Sequence, residues 1–458
     1  LKEKTVKGVF WSSIDRFSSQ GIQFIFSILI ARMLLPSDYG VIAMLGIFLA
    51  VSQSFIDSGF GTALVQKIDR TETDFSTVFY FNILVACFFY GLLWIISPYI
   101  ASFYDIPLLE SVTKAVALTL IFNALGGIQN AKLTIAIDFK TRAKISLMCT
   151  ISTGIIGLIM AYKGYGVWAL VTQNIANSIL NATLLWLFVR WIPQRTFSMQ
   201  SFRQLFGFGS KLLASGLLDT IYNNIYPLVI GKFFSASTLG VYSRASSLAQ
   251  YPSSNLTSVL QSVTFPVLSS IQNDEERLGN AYRRLLRMSV FIIFPLMIGL
   301  SAVADPFIRL VLTDKWEGAI YLLQIVCFSM MWYPVHAINL NLLQVKGRSD
   351  YFLKLEIIKK IMCYGSICTS IICLGVNTHY TWKLIGYGFK RQMREMLPTL
   401  LHALVMGAIA WTAVQLLPTI ESQLIGGILS GATYYIIGAW LLKFKELQEV
   451  VSLIKRKK

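Results

Sequence analysis

Charged residues are scarce in this chain. They make up 14% of its 458 residues, whereas a soluble globular domain usually carries about 25%. Apolar residues reach 55%, and the mean hydropathy is +0.61. This composition excludes an ordinary soluble domain and predicts an all-α protein that crosses a membrane many times.

Cysteine and histidine are also few. All six cysteines lie in apolar runs and none forms a Cys-x-x-Cys pair, which argues against a disulfide framework and a zinc site. The three histidines, His336, His379 and His402, have no metal-ligand spacing, and there is no GxxxxGK[ST] motif for ATP. We therefore predict no catalytic residue, no metal site and no cofactor, and we do not expect an enzyme.

Thirteen apolar runs have the length of about 20 residues that a membrane helix needs. They lie at 9–34, 41–60, 76–101, 111–136, 144–163, 167–190, 206–233, 239–270, 285–312, 319–344, 352–375, 396–417 and 422–442. The first run starts close to Leu1 and is too long for the core of a signal peptide, so we predict a retained helix.

The excess of 17 positive charges follows the positive-inside rule. With a cytoplasmic N-terminus, thirteen crossings would put the ten cations from Lys383 onwards on the wrong side. One further crossing before Lys383 leaves 29 cations inside, 5 outside and 6 within the runs. We therefore predict fourteen helices with both termini cytoplasmic. Charges placed in this way do not form the basic face of a nucleic-acid binder.

The chain contains an internal repeat at an offset of 200 residues. Five positions match: Ile30 with Ile230, Arg32 with Lys232, Ser37 with Ser237, Gly40 with Gly240 and Val41 with Val241. Six helices separate the two copies, so both have the same orientation, as in a parallel repeat about the membrane normal. We predict six-helix bundles at 1–192 and 206–390, a cytoplasmic linker at 193–205, and two C-terminal helices with a basic tail at 391–458.

The second half of the repeat is shorter than the first. Two landmarks measure the difference: Asp138 matches Asp350 at an offset of 212, and Asn181 and Trp186 match Asn377 and Trp382 at 196. The deficit of 16 residues falls near Gly375 and Val376, where the charges also require one more crossing. We predict that most of helix 12 is missing from the sequence there, either by deletion in the protein or because a segment is absent from the sequence as read.

Ionisable side chains inside membrane helices are functional candidates, because a charge at a helix centre costs about 2.5 to 3.5 kcal/mol on insertion scales. Six cations fall within the runs: Arg16, Lys211, Arg244, Arg309, Lys359 and Lys360. We expect Arg309 to pair with Asp305, and Lys359 and Lys360 have long stems that can reach the membrane surface.

Polar stripes mark one face of three spans. Span seven carries Lys211, Ser215, Asp219 and Asn223 every four residues, with Tyr222 beside them. At the offset of 200, Asp15, Ser19 and Gln23 take the positions of the last three, and span eight adds Arg244, Ser247, Tyr251 and Ser254. We predict that these stripes line a water-filled space between the halves. The alternative is that pairs such as Asp219 with Lys211 only join helices.

Several motifs give the chain a family resemblance. They are ARMLLPSDYGVIAM at 31–44, FIDSGFGTALVQ at 55–66, GYGVWALV at 164–171, GVYSRASSLAQYPSSNLTSVLQSVTFPVLSSIQND at 240–274 and TWKLIGYG at 381–388. The chain resembles the polysaccharide transporters of the multidrug, oligosaccharidyl-lipid and polysaccharide exporter superfamily, especially the Wzx-type flippases. This resemblance implies two six-helix bundles and two further helices around a cationic cavity.

The same resemblance implies that a polyprenyl-pyrophosphate-linked glycan crosses the bacterial inner membrane by alternating access. It also implies membrane lipids and polysaccharide polymerase machinery as partners, and we expect a monomer. The alternative is a multidrug or other small-molecule antiporter of the same superfamily, which would favour an anionic cavity.

Candidate roles follow from the chemistry of such a substrate. Arg binds phosphate bidentately and Lys acts as a point charge, so the pyrophosphate candidates are Arg16, Lys211, Arg244 and Lys360. Polar and aromatic candidates for glycan contact are Tyr222, Asn223, Tyr226 and Tyr251. Carboxylates that could bind a coupling proton or sodium ion are Asp219, Asp57 and Asp15. Neither the glycan nor the coupling ion can be read from these residues.

Overall fold

The computed structural model describes residues 2–57, 59–346 and 366–449. Throughout this part the backbone forms helices joined by short turns, without a strand. The all-α fold predicted from the apolar runs is therefore confirmed.

The helices that the structure describes up to Ser270 are α1 Lys2–Met33, α2 Pro36–Asp57, α3 Phe60–Gln66, α4 Glu72–Tyr104, α5 Leu108–Val116, α6 Leu118–Ile135, α7 Phe139–Tyr162, α8 Val167–Val189, α9 Met199–Phe233 and α10 Ala236–Ser270. The later ones are α11 Glu275–Ala302, α12 Ala304–Leu312, α13 Ala319–Met330, α14 Tyr333–Val345, α15 Ser366–Ile385, α16 Phe389–Leu416 and α17 Ile420–Leu441. Up to Ser270 the described helices pack mainly on partners that are distant in sequence, such as α1 on α7 and α2 on α9.

Eight helical stretches of the described chain are long and apolar enough to cross a membrane. This is the pattern of a protein with many membrane crossings. The count of fourteen helices and the cytoplasmic position of the termini stay predictions.

Two predicted spans are interrupted. The run at 41–60 ends its helix at Asp57 and continues as α3, because Gly59 has a positive φ of 69° that few residues other than glycine adopt. A Cβ on Gly59 would also lie 2.8 Å from the carbonyl oxygen of Gly209. Both the backbone conformation and the lack of space therefore favour glycine at this position. The run at 319–344 is divided into α13 and α14, and Pro334 lies in the first turn of α14.

The chain is continuous at the predicted deficit. Residues 352–365 of the predicted eleventh span lie outside the described residues, but α15 passes through Gly375 and Val376. The hydroxyl of Thr378 donates to the carbonyl oxygen of Leu374 at 2.8 Å across this point. The unbroken helix is compatible with both alternatives, so the missing helix 12 stays a prediction. A shortened second half stays a prediction.

The chain forms two compact units, residues 1–243 and 244–458. The first unit includes α9, which packs on α2 and α4, and the six-helix bundles divided at 192 stay a prediction. Its core gathers buried side chains of α2, α4, α5, α6 and α8. Small residues allow close packing, as at Gly154, where an added Cβ would lie 2.4 Å from the ring of Phe26.

The second unit contains a buried polar network. The side-chain oxygen of Asn339 accepts hydrogen bonds from the Tyr282 hydroxyl at 2.9 Å and from Nε2 of Gln392 at 3.3 Å, and the Thr381 hydroxyl also donates to it. Tyr282 and Asn339 are at most 1% exposed. This network joins α11, α14, α15 and α16 without leaving those polar atoms unpaired.

Candidate functional site

The two copies of the repeat meet at Gly40 and Gly240. A Cβ on Gly40 would lie 1.7 Å from the carbonyl oxygen of Ala236, and a Cβ on Gly240 would lie 1.8 Å from that of Pro36. Pro36 and Ala236 are themselves 200 residues apart, so the contact is reciprocal, as it is across a two-fold axis. This reciprocity agrees with the repeat predicted from the sequence.

Helix α9 carries five of the eleven predicted site residues and packs against α2. The hydroxyl groups of Ser54 and Thr220 lie 2.9 Å apart, and Nδ2 of Asn224 donates to the carbonyl oxygen of Thr220 at 2.8 Å. Because Thr220 and Asn224 face α2, the residues one position before them, Asp219 and Asn223, remain exposed. The described part of the predicted polar stripe, Ser215, Asp219 and Asn223, is therefore an exposed face of α9.

Two predicted glycan contacts lie beside this stripe. Tyr222 and Tyr226 are half-buried, one helical turn apart on α9. The third tyrosine, Tyr251, is half-buried on α10 in the second unit. The structure thus groups Tyr222, Asn223 and Tyr226 with Asp219 on one length of α9.

Asp57 lies at the end of α2 and is exposed. Its carboxylate accepts a hydrogen bond from Nε2 of Gln53 at 2.9 Å, and Gln53 in turn accepts from Nδ2 of Asn123 at 3.2 Å. Asp57 is therefore held by a short chain of amides.

The predicted phosphate ligands differ in what the structure describes. Arg244 is on α10 and only 6% exposed. Arginine is rarely so buried, because its charge loses water and must be compensated by hydrogen bonds or by an anion. The side chains of Arg16 and Lys211, like that of Asp15, lie outside the described part of the chain. Lys360 lies outside the described residues altogether.

Arg309 is a structural residue, as expected. Its guanidinium contacts Asp305 at 2.9 Å, Asp314 at 2.9 Å and Glu317 at 2.7 Å. These hydrogen bonds, that with Asp305 first, raise the pKa of Arg309 above its ordinary value. The three carboxylates fix the turn after α12, so Arg309 is committed to protein contacts.

Ser19 and Gln23 of the span-one stripe line a cavity within the first unit. We expected them to face a space between the two halves, whereas the lining that the structure describes is all from this unit. Three lining residues that we did not predict are Gln173, Asn177 and Asn181 of α8. Their spacing of four is visible in the sequence and would have identified a polar face.

Comparisons with known proteins place this fold in a family. The family model described as "Polysaccharide biosynthesis protein" matches residues 29–321. The chain belongs to this family. Within the described residues, no group of three or more His, Cys, Asp or Glu side chains is placed to hold a metal ion.

Several curated proteins are similar to this family member over most of its length. The teichuronic acid biosynthesis protein TuaB of Bacillus subtilis (strain 168) is 26% identical over 76% of this chain and 73% of its own. The lipopolysaccharide biosynthesis protein WzxC of Escherichia coli (strain K12) is 24% identical over 80% of this chain and 75% of its own. The succinoglycan biosynthesis transport protein ExoT of Rhizobium meliloti (strain 1021) is 22% identical over 100% of this chain and 97% of its own.

Solved structures share the fold. The lipid II flippase MurJ in an inward closed conformation has a TM-score of 0.77 at 16% identity, covering 94% of this chain and 98% of its own. An inward-facing multidrug resistance MATE family transporter has a TM-score of 0.56 at 11% identity, and the match covers 95% of this chain and 99% of its own. ExoT, MurJ and the MATE protein are transporters by name, which agrees with the prediction of a multi-pass membrane transporter rather than an enzyme.

Proposed function

We propose that this protein is a flippase that carries a polyprenyl-pyrophosphate-linked oligosaccharide, the repeat unit of an exported polysaccharide, across the bacterial inner membrane by alternating access. The observation that carries this proposal is the similarity to ExoT, a succinoglycan biosynthesis transport protein, over 100% of this chain. The names of TuaB and WzxC support the same class of cargo.

A diphosphate joined to sugars cannot cross an apolar membrane core unaided, because burying its charge is costly. A transporter therefore has to supply cations along the path. Arg244 supports this role because it is a buried guanidinium on α10, with 6% of its surface exposed. Arg16, Lys211 and Lys360 are the other proposed pyrophosphate ligands.

The exposed face of α9 is the proposed contact for the glycan. Asn223 can donate and accept hydrogen bonds, while Tyr222 and Tyr226 offer an aromatic ring and a hydroxyl each. Tyr251 of α10 is proposed to add a third ring. These side chains recognise hydroxyl-rich ligands in general, so they leave the identity of the glycan open.

Coupling to a sodium ion or a proton is proposed for the carboxylates. Asp219 is the first candidate because it lies on the same exposed face of α9, and Asp57 and Asp15 follow. We also propose a monomer with both termini in the cytoplasm, surrounded by membrane lipids and serving the polysaccharide polymerase machinery.

The test is a strain in which the chromosomal copy is deleted. We expect lipid-linked oligosaccharide to accumulate and the intact protein to restore export. Arg16→Ala, Arg244→Ala and Asp219→Asn should restore less than a tenth of export at equal protein levels. The matched controls Arg195→Ala and Asp69→Asn change exposed residues outside the proposed site and should restore it fully.

The two parts of the proposal fail separately. If the deletion strain accumulates no lipid-linked oligosaccharide, the flippase function is contradicted. If it does and the three site variants export as well as the intact protein, the function stands and the residue assignments are wrong.

A further inference from the structure

The first unit contains a cavity of about 490 Å³ between α1, α6, α7 and α8. This volume lies within the range of about 300 to 1,000 Å³ that is typical of small-molecule sites. Gln23, Arg142 and Asn177 on its lining are exposed, so the cavity opens to the surface of the unit. Nothing in the proposed function so far uses it.

Neutral polar side chains dominate the described lining. Six of them carry amides: Gln20, Gln23, Asn130, Gln173, Asn177 and Asn181. The hydroxyl groups of Ser146 and Thr150 add to these. Among the described lining residues there is no carboxylate, and the one charged side chain is that of Arg142.

Part of this hydrogen-bonding capacity is unused within the described protein. The Oε1 atom of Gln20 is buried and accepts no hydrogen bond there. Such an acceptor is unfavourable without a partner, and a ligand hydroxyl would satisfy it. By contrast, the Ser146 hydroxyl donates to that of Ser19 at 3.0 Å and positions one side of the cavity.

The second unit shows the alternative arrangement of similar residues. Asn377, which matches Asn181 in the repeat, bonds to Nδ1 of His336 at 3.0 Å. Asn339 and Gln392 are likewise hydrogen-bonded to each other. These amides of the second unit hydrogen-bond to other side chains, whereas those of the first unit surround an open space.

The chemistry of the lining selects the class of ligand. A cation would require carboxylates, and a diphosphate would require more than the single exposed Arg142. An apolar group would leave the amides without partners. A sugar ring fits, because its hydroxyl groups both donate and accept hydrogen bonds, as amides do, and Phe26 and Phe139 offer apolar surface to its C–H groups.

We propose that this cavity binds a neutral sugar ring of the transported glycan. The proposal rests on the proposed function and adds to it a saccharide subsite formed by α1, α6, α7 and α8. The cations then hold the pyrophosphate elsewhere, and the cavity recognises the sugar.

The probe is the oligosaccharide released by mild acid from the lipid-linked oligosaccharide of the deletion strain. Calorimetry measures its binding to the purified full-length protein in detergent. Asn177→Leu should weaken binding about tenfold, because it removes an amide that bonds the ligand. The control Asn174→Leu makes the same change one turn earlier on α8, at an exposed residue that is not on the described lining, and should leave affinity within about twofold.

A second variant guards against misfolding. Thr150→Val nearly preserves shape and removes one hydroxyl of the lining, so it should weaken binding about threefold. Inorganic pyrophosphate is the second probe, and its affinity should not change in either cavity variant. Equal affinity of all variants for the oligosaccharide, or no binding by the intact protein, would overturn the subsite.

Export measurements separate this proposal from the proposed function. If the intact protein restores export and Asn177→Leu does so equally well at limiting oligosaccharide, the subsite is wrong and the flippase stands. If the deletion strain accumulates no lipid-linked oligosaccharide, the flippase itself is contradicted, and the subsite with it.

Discussion

Replacing Gly40 by alanine inserts a methyl group into the contact between the starts of α2 and α10. The new Cβ would lie 1.7 Å from the carbonyl oxygen of Ala236, and contacts under 3.0 Å are not tolerated. The two backbones must therefore separate by at least 1.3 Å, the difference between these distances. Neither partner is the end of a flexible side chain, so the strain cannot be relieved locally.

The expected cost is near the upper end of the range for overpacking, about 3 kcal/mol. By reciprocity Gly240→Ala should cost a similar amount, because its Cβ would lie 1.8 Å from the carbonyl oxygen of Pro36. Gly46→Ala is the matched control on α2, since its Cβ would meet only the Asn224 side chain at 3.4 Å. A helix-interior Gly→Ala change without a clash is neutral or stabilises by about 0.5 to 1 kcal/mol.

The assay is thermal unfolding of the purified protein in detergent. We expect the apparent melting temperature to fall by several degrees in both Gly40→Ala and Gly240→Ala and to stay or rise in Gly46→Ala. If Gly40→Ala is as stable as Gly46→Ala, or if the two repeat-related glycines differ widely, the reciprocal contact is refuted.

Two further stability predictions use the same assay. Asn339→Leu removes the acceptor shared by Tyr282 and Gln392. It should destabilise the protein by about 2 to 4 kcal/mol, because buried donors lose their partner. An unchanged melting temperature would show that water replaces the lost acceptor. Lys67→Met removes the 2.8 Å partner of the Asp74 carboxylate, which is 1% exposed, and should cost about 1 to 2 kcal/mol. Lys67→Arg keeps the charge, so equal losses in both Lys67 variants would contradict the ion pair as the cause.

The long helices could be predicted because membrane length and apolar composition determine them. The runs at 206–233 and 239–270 became α9 Met199–Phe233 and α10 Ala236–Ser270. Their polar N-terminal ends were missed, since an apolar count does not register residues such as Gln200 and Arg203 that continue a helix beyond the apolar core.

Breaks within spans were harder to predict. The interruption before α3 depends on the positive φ of Gly59, and an apolar count treats that glycine like any other residue. Asp57, Ser58 and Gly59 are nonetheless residues typical of turns, and this signal could have been used.

The candidate site was predicted one helix at a time. The polar face of α9 follows from spacing alone, because residues four apart share a helix face. The cavity required knowledge that α1 packs on α7 and α7 on α8, and one sequence contains no such pairing. Ser19 and Gln23 were therefore recognised as a stripe, but the cavity that they line within the first unit was not predicted.

Transbilayer movement measured on the purified protein tests the central claim most directly. Vesicles containing the host lipid-linked oligosaccharide in both leaflets are treated with periodate, which does not cross the membrane and oxidises exposed sugars. With the protein present, we predict that nearly all of the oligosaccharide is oxidised, since inner-leaflet molecules reach the outside. If the inner-leaflet share stays protected as in protein-free vesicles, the protein is not a flippase for this substrate.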